Sequence, residues 1–250
     1  MLFSAERALA HSHALKALGT KSRSKEFRKE QLSWLRKGLG YAKTLHITAN
    51  ALASAGRMNQ RTLAEITIYY LSLRAELAFE RSQWAETLTD LSARRKLLAT
   101  IADSAKESYD QALALEFMDS YDPLIRFGAY KLGRAESHDI EGVVKDIDDE
   151  MMEEAVPGYG ILIAGLRDEL GAAELESGRK GLEDVTFAGD KVPLRSAEIV
   201  NVMLRVQDVV GKLGKGKGMK GWDRVLSVLG EAEMIAKRLL DDHEVSPACV

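Results

Sequence analysis

Ten lysines and arginines stand among the first 45 residues against three acids, a local charge of +7, while the remaining 205 residues sum to −10. The net charge of −3 and the pI near 6.0 conceal this division. A one-signed field concentrated at one end of a chain attracts polyanions, whose bound counterions are released when lysines and arginines replace them. Lys25, Lys29, Arg36 and Lys43 recur at helical spacing, and Lys21, Arg23, Arg28 and Lys37 extend them. The run Lys21-Ser-Arg-Ser-Lys25 adds hydroxyls and, at a helix start, free backbone N–H groups, which also suit phosphate. These eight side chains form the candidate anion-binding set. Phe27, Trp34 and Tyr41 lie between them, so this end reads as folded and not as a disordered basic tail.

Other residue patterns do not assemble a reaction centre. Gly211 to Lys217 satisfies the spacing of a phosphate-binding loop, but Gly218 stands where a Ser or Thr must meet Mg²⁺, and no strand precedes it. The stretch 211–221 reads instead as a flexible Gly/Lys loop. Asp146, Asp148, Asp149, Glu150, Glu153 and Glu154 form an acidic cluster, yet Met151 occupies the position where a calcium loop needs glycine. That cluster reads as a solvated helix face. The five histidines show no ligand spacing; His11 and His13 point roughly 200° apart on a helix. There is no GxSxG elbow. The sequence therefore predicts no enzyme, no metal and no cofactor.

Helices must position the basic set. Only four prolines occur in 250 residues, and 46% hydrophobic with 29% charged residues is ordinary for a globular chain. The longest near-continuous apolar run, 161–166, is far too short to cross a bilayer. The start has no signal-peptide layout, and the single cysteine, Cys249, fits a reducing compartment. Periodicity predicts helices at 3–18, stopped near Gly19, and at 24–54, ended at Gly56. Further helices are predicted at 59–81, 84–102, 104–117, 121–133, 137–153, 157–176, 195–212 and 220–241. In the second helix Phe27, Trp34, Tyr41, Leu45 and Leu52 share one direction, which predicts docking by an aromatic stripe with the basic stripe outward. Leu32 and Leu39 lie near the basic stripe and need cover from a neighbour such as the first helix. Residues 185–194 read as a small β-hairpin. The expected fold is all-α, a single domain over 1–245. The pair at 59–102 has a tetratricopeptide look through Phe79, Ser82, Trp84 and Leu91, although Thr87 and Arg94 stand where that motif places alanine.

Several runs carry a resemblance: Ala5-Glu-Arg-Ala-Leu-Ala-His-Ser-His-Ala-Leu-Lys16, Trp34-Leu-Arg-Lys37, Tyr41-Ala-Lys43 and Phe79-Glu-Arg-Ser-Gln-Trp84. They continue with Ser120-Tyr-Asp-Pro-Leu-Ile-Arg-Phe-Gly-Ala-Tyr-Lys-Leu-Gly133 and Val185-Thr-Phe-Ala-Gly-Asp-Lys-Val-Pro193. In this order, over most of 1–210, the chain resembles the N-terminal RNA-binding domain of the 68-kDa subunit of the eukaryotic signal recognition particle. The resemblance implies tetratricopeptide-like antiparallel helical hairpins that bind the particle's RNA near its branch point and bend or remodel it. It implies service in co-translational targeting to the endoplasmic reticulum, and a cytoplasmic location with a nucleolar assembly stage. RNA binding then falls to Lys21, Arg23, Lys25, Arg28, Lys29, Arg36, Lys37 and Lys43. It further implies an arginine-rich groove-inserting helix upstream of Ala5 and a C-terminal region holding a 72-kDa partner subunit, neither within this sequence, so that the chain is expected to be an excised domain. Two other readings stay open: a protein-interaction scaffold with a groove around Tyr69, Tyr70, Phe79 and Trp84, and membrane-surface binding by 3–54, in which Phe27, Trp34 and Tyr41 enter the interface while the lysines meet lipid head groups, with no stable membrane insertion.

Overall fold

A computed structural model describes every residue except 23–24, 106, 135, 175–180, 183–184, 188–189, 193, 214–218 and 246–250. The chain divides into two compact units: one of Met1–Ile101 with Met118–Ala173, the other of Ala102–Phe117 with Glu174–Val250.

The first unit opens with α1 (Leu2–Ser22) and α2 (Lys25–Ser54), packed side by side, with α3 (Gln60–Glu80) against α2. Then come α4 (Trp84–Asp103), the end of α5 (Ser108–Asp119), α6 (Asp122–Lys131), α7 (Ile140–Lys145), α8 (Asp149–Ala155) and α9 (Tyr159–Glu174). Helices α3 and α4 form its centre. Leu63, Leu71, Leu73 and Leu77 on α3 and Leu88, Leu91, Leu97 and Leu98 on α4 are all buried, each stabilising by about 1.5–3 kcal/mol relative to exposure. Polar bonds fix their register. Arg74 grips Asp90 with two N–H groups, its Nε donating at 2.7 Å, and the Nη1 of Arg74 donates to the Ala155 carbonyl at 2.8 Å. Arg94 Nε donates to Ser72 Oγ at 2.9 Å, and its guanidinium lies 4.1 Å from the centre of the Tyr121 ring. Burial lowers the pKa of Arg94 to about 10, leaving it charged at neutral pH.

Helix ends are tied by named groups. Asn59 Oδ1 accepts the Thr62 N–H at 2.9 Å, while Glu169 accepts the N–H groups of Gln60 at 2.8 Å and Arg61 at 3.3 Å. Glu153 accepts Gly158 N–H at 2.6 Å and Gly160 N–H at 2.9 Å, which lowers its pKa and anchors the start of α9. Gly133, at φ +74°, ends the α6 turn in the left-handed conformation.

Three sequence expectations need correction. The first helix does not stop at Gly19 but continues to Ser22, with Gly19 seated 3.4 Å from Phe27 Cβ. The predicted helix 137–153 is two helices, α7 and α8, separated by Asp146–Asp148. Negative charge is unfavourable at a helix C-terminus and favourable at an N-terminus, so an acidic run in mid-pattern starts a new helix. Nor is the aromatic stripe the docked line of α2: the buried residues are Gln31, Leu35, Gly38, Ala42 and Ala49. That line lies roughly 60° from the aromatic stripe, between it and the Leu32/Leu39 edge. A Cβ on Gly38 would stand 3.5 Å from Ala8 Cβ and 3.4 Å from Leu73 Cδ2, so small residues let α2 settle into the corner between α1 and α3. On α1 the matching buried line is Ala5, Ala8, Ser12 and Leu15, and Ser12 Oγ donates to the Gln31 carbonyl at 3.2 Å.

In the second unit, β1 (Thr186–Phe187) pairs antiparallel with β2 (Asp190–Lys191), and Val192 N–H donates to the Val185 carbonyl at 2.9 Å. Helices α10 (Ala197–Leu213) and α11 (Met219–Val245) follow, joined by Arg205–Glu231 and Arg238–Glu198 pairs. Ala112, Ala197 and Val200 make a small core with Tyr109, Leu113, Leu194 and Leu204. Of the Gly/Lys stretch 211–221, residues to 213 close α10 and those from 219 open α11, while 214–218 lie outside the described residues.

Candidate nucleic-acid interface

The 30-residue α2 carries most of the candidate set. Its basic stripe lies roughly 125° from its buried line, far enough to face solvent whichever neighbour covers the helix. Lys25, Lys29, Arg36 and Lys43 are all exposed, and among the described residues none of them makes a hydrogen bond or ion pair. The four span about 27 Å of helix axis at 1.5 Å per residue. Because α2 is pinned by α1 and α3, this row is rigid, and a ligand would order little backbone on docking.

The other four candidates divide. Lys21 is exposed in the last turn of α1. Arg28 is exposed, yet its Nη2 donates to the Glu80 carbonyl at 3.0 Å, tying the start of α2 to the end of α3. Lys37 stands 4.2 Å from the centre of the Trp34 ring, and Trp34 meets His11 edge-on at 4.6 Å. Trp34 and Tyr41 therefore sit at the border of the packed face; Tyr41 is 43% exposed. Arg23 lies outside the described residues.

Where α1 ends, α2 begins and α3 ends, the structure encloses a cleft of about 310 Å³ lined by Lys16, Thr20, Lys25, Arg28, Gln31 and Glu80. Lys16 Nζ lies 2.7 Å from Glu80 Oε1, and one turn earlier His13 Nε2 lies 2.9 Å from Glu76 Oε2. The hydrogen bond to Glu76 raises the pKa of His13 above its ordinary value. Thr20 Oγ1 is already spent as a donor to the Lys16 carbonyl at 2.9 Å. Sequence reasoning missed Lys16, Gln31 and Glu80. One signal was available: Gln31 is a polar residue in register with Leu35, Ala42 and Ala49 on the buried line of α2.

The remaining sequence candidates fall elsewhere. Asp146 pairs with Arg134 at 3.0 Å and Asp149 with Lys96 at 2.9 Å, so these members of the acidic cluster serve as surface ion-pair partners. No group of three or more His, Cys, Asp or Glu that could hold a metal ion occurs among the described residues, and no described helix is long and apolar enough to cross a membrane. Three of the four aromatics considered for a peptide groove are engaged with other rings. Phe79, Trp84 and Phe127 form a cluster with centroids 5.4–5.5 Å apart, and Tyr70 stacks on His46 at 4.9 Å. Burial, then the charge of Arg74, lowers the pKa of His46.

The arrangement is a fixed row of cations with a basic corner beside it. Such a surface can hold phosphates by charge and shape. A search of curated proteins returned no match. The family of RNA-binding signal recognition particle 68 (SRP68) matches residues 1–247, nearly the whole sequence and both units. The chain belongs to the SRP68 family of RNA-binding signal recognition particle proteins.

Proposed function

We propose that this chain binds the RNA of the signal recognition particle near its branch point and bends or remodels it, as a non-enzymatic subunit of the cytoplasmic particle that targets nascent proteins to the endoplasmic reticulum. The observation that carries the reading is the rigid row Lys25, Lys29, Arg36 and Lys43, exposed and free of ion pairs among the described residues. Lys21 and Arg28 extend it at the corner, and Lys37 stands beside it, with Arg23 assigned from sequence. Residues 1–245 act as one RNA-binding region built on tetratricopeptide-like hairpins, of which α3 and α4 are the prototype. A 72-kDa partner subunit would be held by sequence beyond this chain.

A-form RNA offers a wide minor groove and two phosphate rows, and proteins read it mainly through phosphates and 2′-hydroxyls. A helix face set at fixed height suits that task better than a flexible arm, since bending RNA requires contacts that do not yield. The test is an electrophoretic titration of the chain against the branch region of the particle RNA, with transfer RNA as competitor, at two salt concentrations. Salt-sensitive binding that survives the competitor is the expected result. Binding abolished equally by both RNAs, or independent of salt, overturns shape-selective recognition.

A further inference from the structure

The corner cleft differs in kind from the basic row: it is concave, three helix ends build it, and a buried polar side chain lines it. Gln31 is only 4% exposed, and its side-chain amide makes no hydrogen bond among the described residues. That amide is not sealed from solvent, since fully buried side-chain polar atoms without a partner occur among the described residues at Tyr69 and Ser92; Gln31 instead lines the cleft, where leucine would fill the same register on the α2 line. Lys25 and Arg28 flank that amide with charge, Arg28 keeping Nε and Nη1 free of the bond its Nη2 makes to Glu80. Against them stands the Glu80 carboxylate, which Lys16 already neutralises at 2.7 Å. Three cations and one carboxylate leave the cleft with a charge of +2.

We infer that this cleft is the seat of a single RNA phosphodiester, resting on the RNA-binding reading above. Lys25 and Arg28 hold the phosphate by charge-assisted hydrogen bonds, and the Gln31 amide donates to one of its oxygens. Thr20 contributes shape only, because its hydroxyl proton is committed to the Lys16 carbonyl. The seat anchors the RNA at one point, while Lys29, Arg36 and Lys43 supply the field along which the rest of the strand lies.

The unaltered chain and its variants are titrated with the branch-region RNA over a salt series, with thermal melting as the fold control. Gln31→Leu removes a donor but no charge, so affinity is expected to fall by about tenfold with the salt slope unchanged. Lys25→Ala with Arg28→Ala lowers both affinity and slope, and costs more than Arg36→Ala with Lys43→Ala. Glu80→Gln supplies the arm that loss of folding cannot imitate: removing the opposing carboxylate raises affinity severalfold. Wild-type binding by Gln31→Leu overturns the seat, as does unchanged or weaker binding by Glu80→Gln, while RNA binding by the basic row would stand. Failure of the unaltered chain to bind RNA overturns the parent reading and the seat together.

Discussion

Replacing Lys25, Lys29, Arg36 and Lys43 together by alanine removes four exposed charges while leaving the packed face of α2 untouched. Alanine is the best helix former, and surface changes of this sort stay within about 0.5 kcal/mol in stability. If each side chain meets one phosphate, the slope of log K against log salt becomes shallower by about 0.9 per contact on a duplex, or about 3.6 in all. Single-stranded contacts at about 0.7 each give about 2.8. Between 50 and 200 mM salt the affinity gap between wild type and variant should then close by roughly 50- to 150-fold. Fluorescence-anisotropy titrations at five salt concentrations measure both quantities. Lys37→Ala is the internal control, because that ammonium already rests on the Trp34 ring and should change the slope by less than one contact. A quadruple variant whose slope matches wild type within about 0.5 would refute the row as an RNA contact, since no other property of the four residues enters the calculation.

Three further outcomes test the frame that holds this row. Asp90→Ala leaves the Arg74 guanidinium, whose side chain is 24% exposed, without its carboxylate; breaking such a pair costs about 3–5 kcal/mol, or roughly 6–20 °C in melting temperature followed by circular dichroism. Gly38→Leu forces a side chain into the corner where Ala8 and Leu73 stand within 3.5 Å of a Cβ, and the same melt should show a loss of about 1–3 kcal/mol or more. His13 has its pKa raised by Glu76, so its contribution to stability is fully present below the ordinary value of 6.5 and is lost as pH rises through the higher folded value. The difference between wild type and His13→Gln should therefore be larger at acid than at alkaline pH, and a flat difference would rule the pair out as a folding contact.

Sequence patterning located the helices and the outward direction of the basic row well, because both depend only on the 3.6-residue period. It misplaced the buried line of α2 because it treated the helix as docking on one partner. A helix lodged between two partners buries the arc between its two apolar edges. The centre of that arc belongs to Gly38, Ala42 and Ala49, whose small size permits close approach but carries little hydrophobic signal. Trp34 and Tyr41, the loudest residues in the pattern, end at the edge of the arc, where one side of a ring can remain wet. The corner cleft was illegible for a different reason. Its members come from three helices and lie as far apart in sequence as Lys16 and Glu80, so only the folded chain brings them together. The break between α7 and α8 was legible in principle, since the acids at 146–150 announce a helix start as readily as a solvated face.

The charge division of the sequence acquires a structural meaning once α1, α2 and α3 are in place. The acids of α3 do not neutralise the basic end evenly: Glu76 and Glu80 take His13 and Lys16, both on α1. These pairs lie across the side of α1 that faces α3, and with the Arg28 bond to the Glu80 carbonyl they fix the three helix ends relative to one another. Of the row on α2, only Lys25 shares the corner cleft with Glu80, while Lys29, Arg36 and Lys43 do not line it. The acidic body therefore spends its nearest carboxylates on geometry, and the cations of the row keep no ion pair among the described residues. Had Glu76 and Glu80 faced the α2 row instead, two carboxylates against its four cations would halve the row's charge to +2 and weaken its hold on phosphate. A rigid cationic row pays little ordering entropy when it binds, and its fixed spacing makes the RNA, the softer partner, the one that must conform. That asymmetry of stiffness is what a subunit proposed to bend RNA requires, and it follows from the placement of two glutamates on α3 as much as from the lysines and arginines themselves.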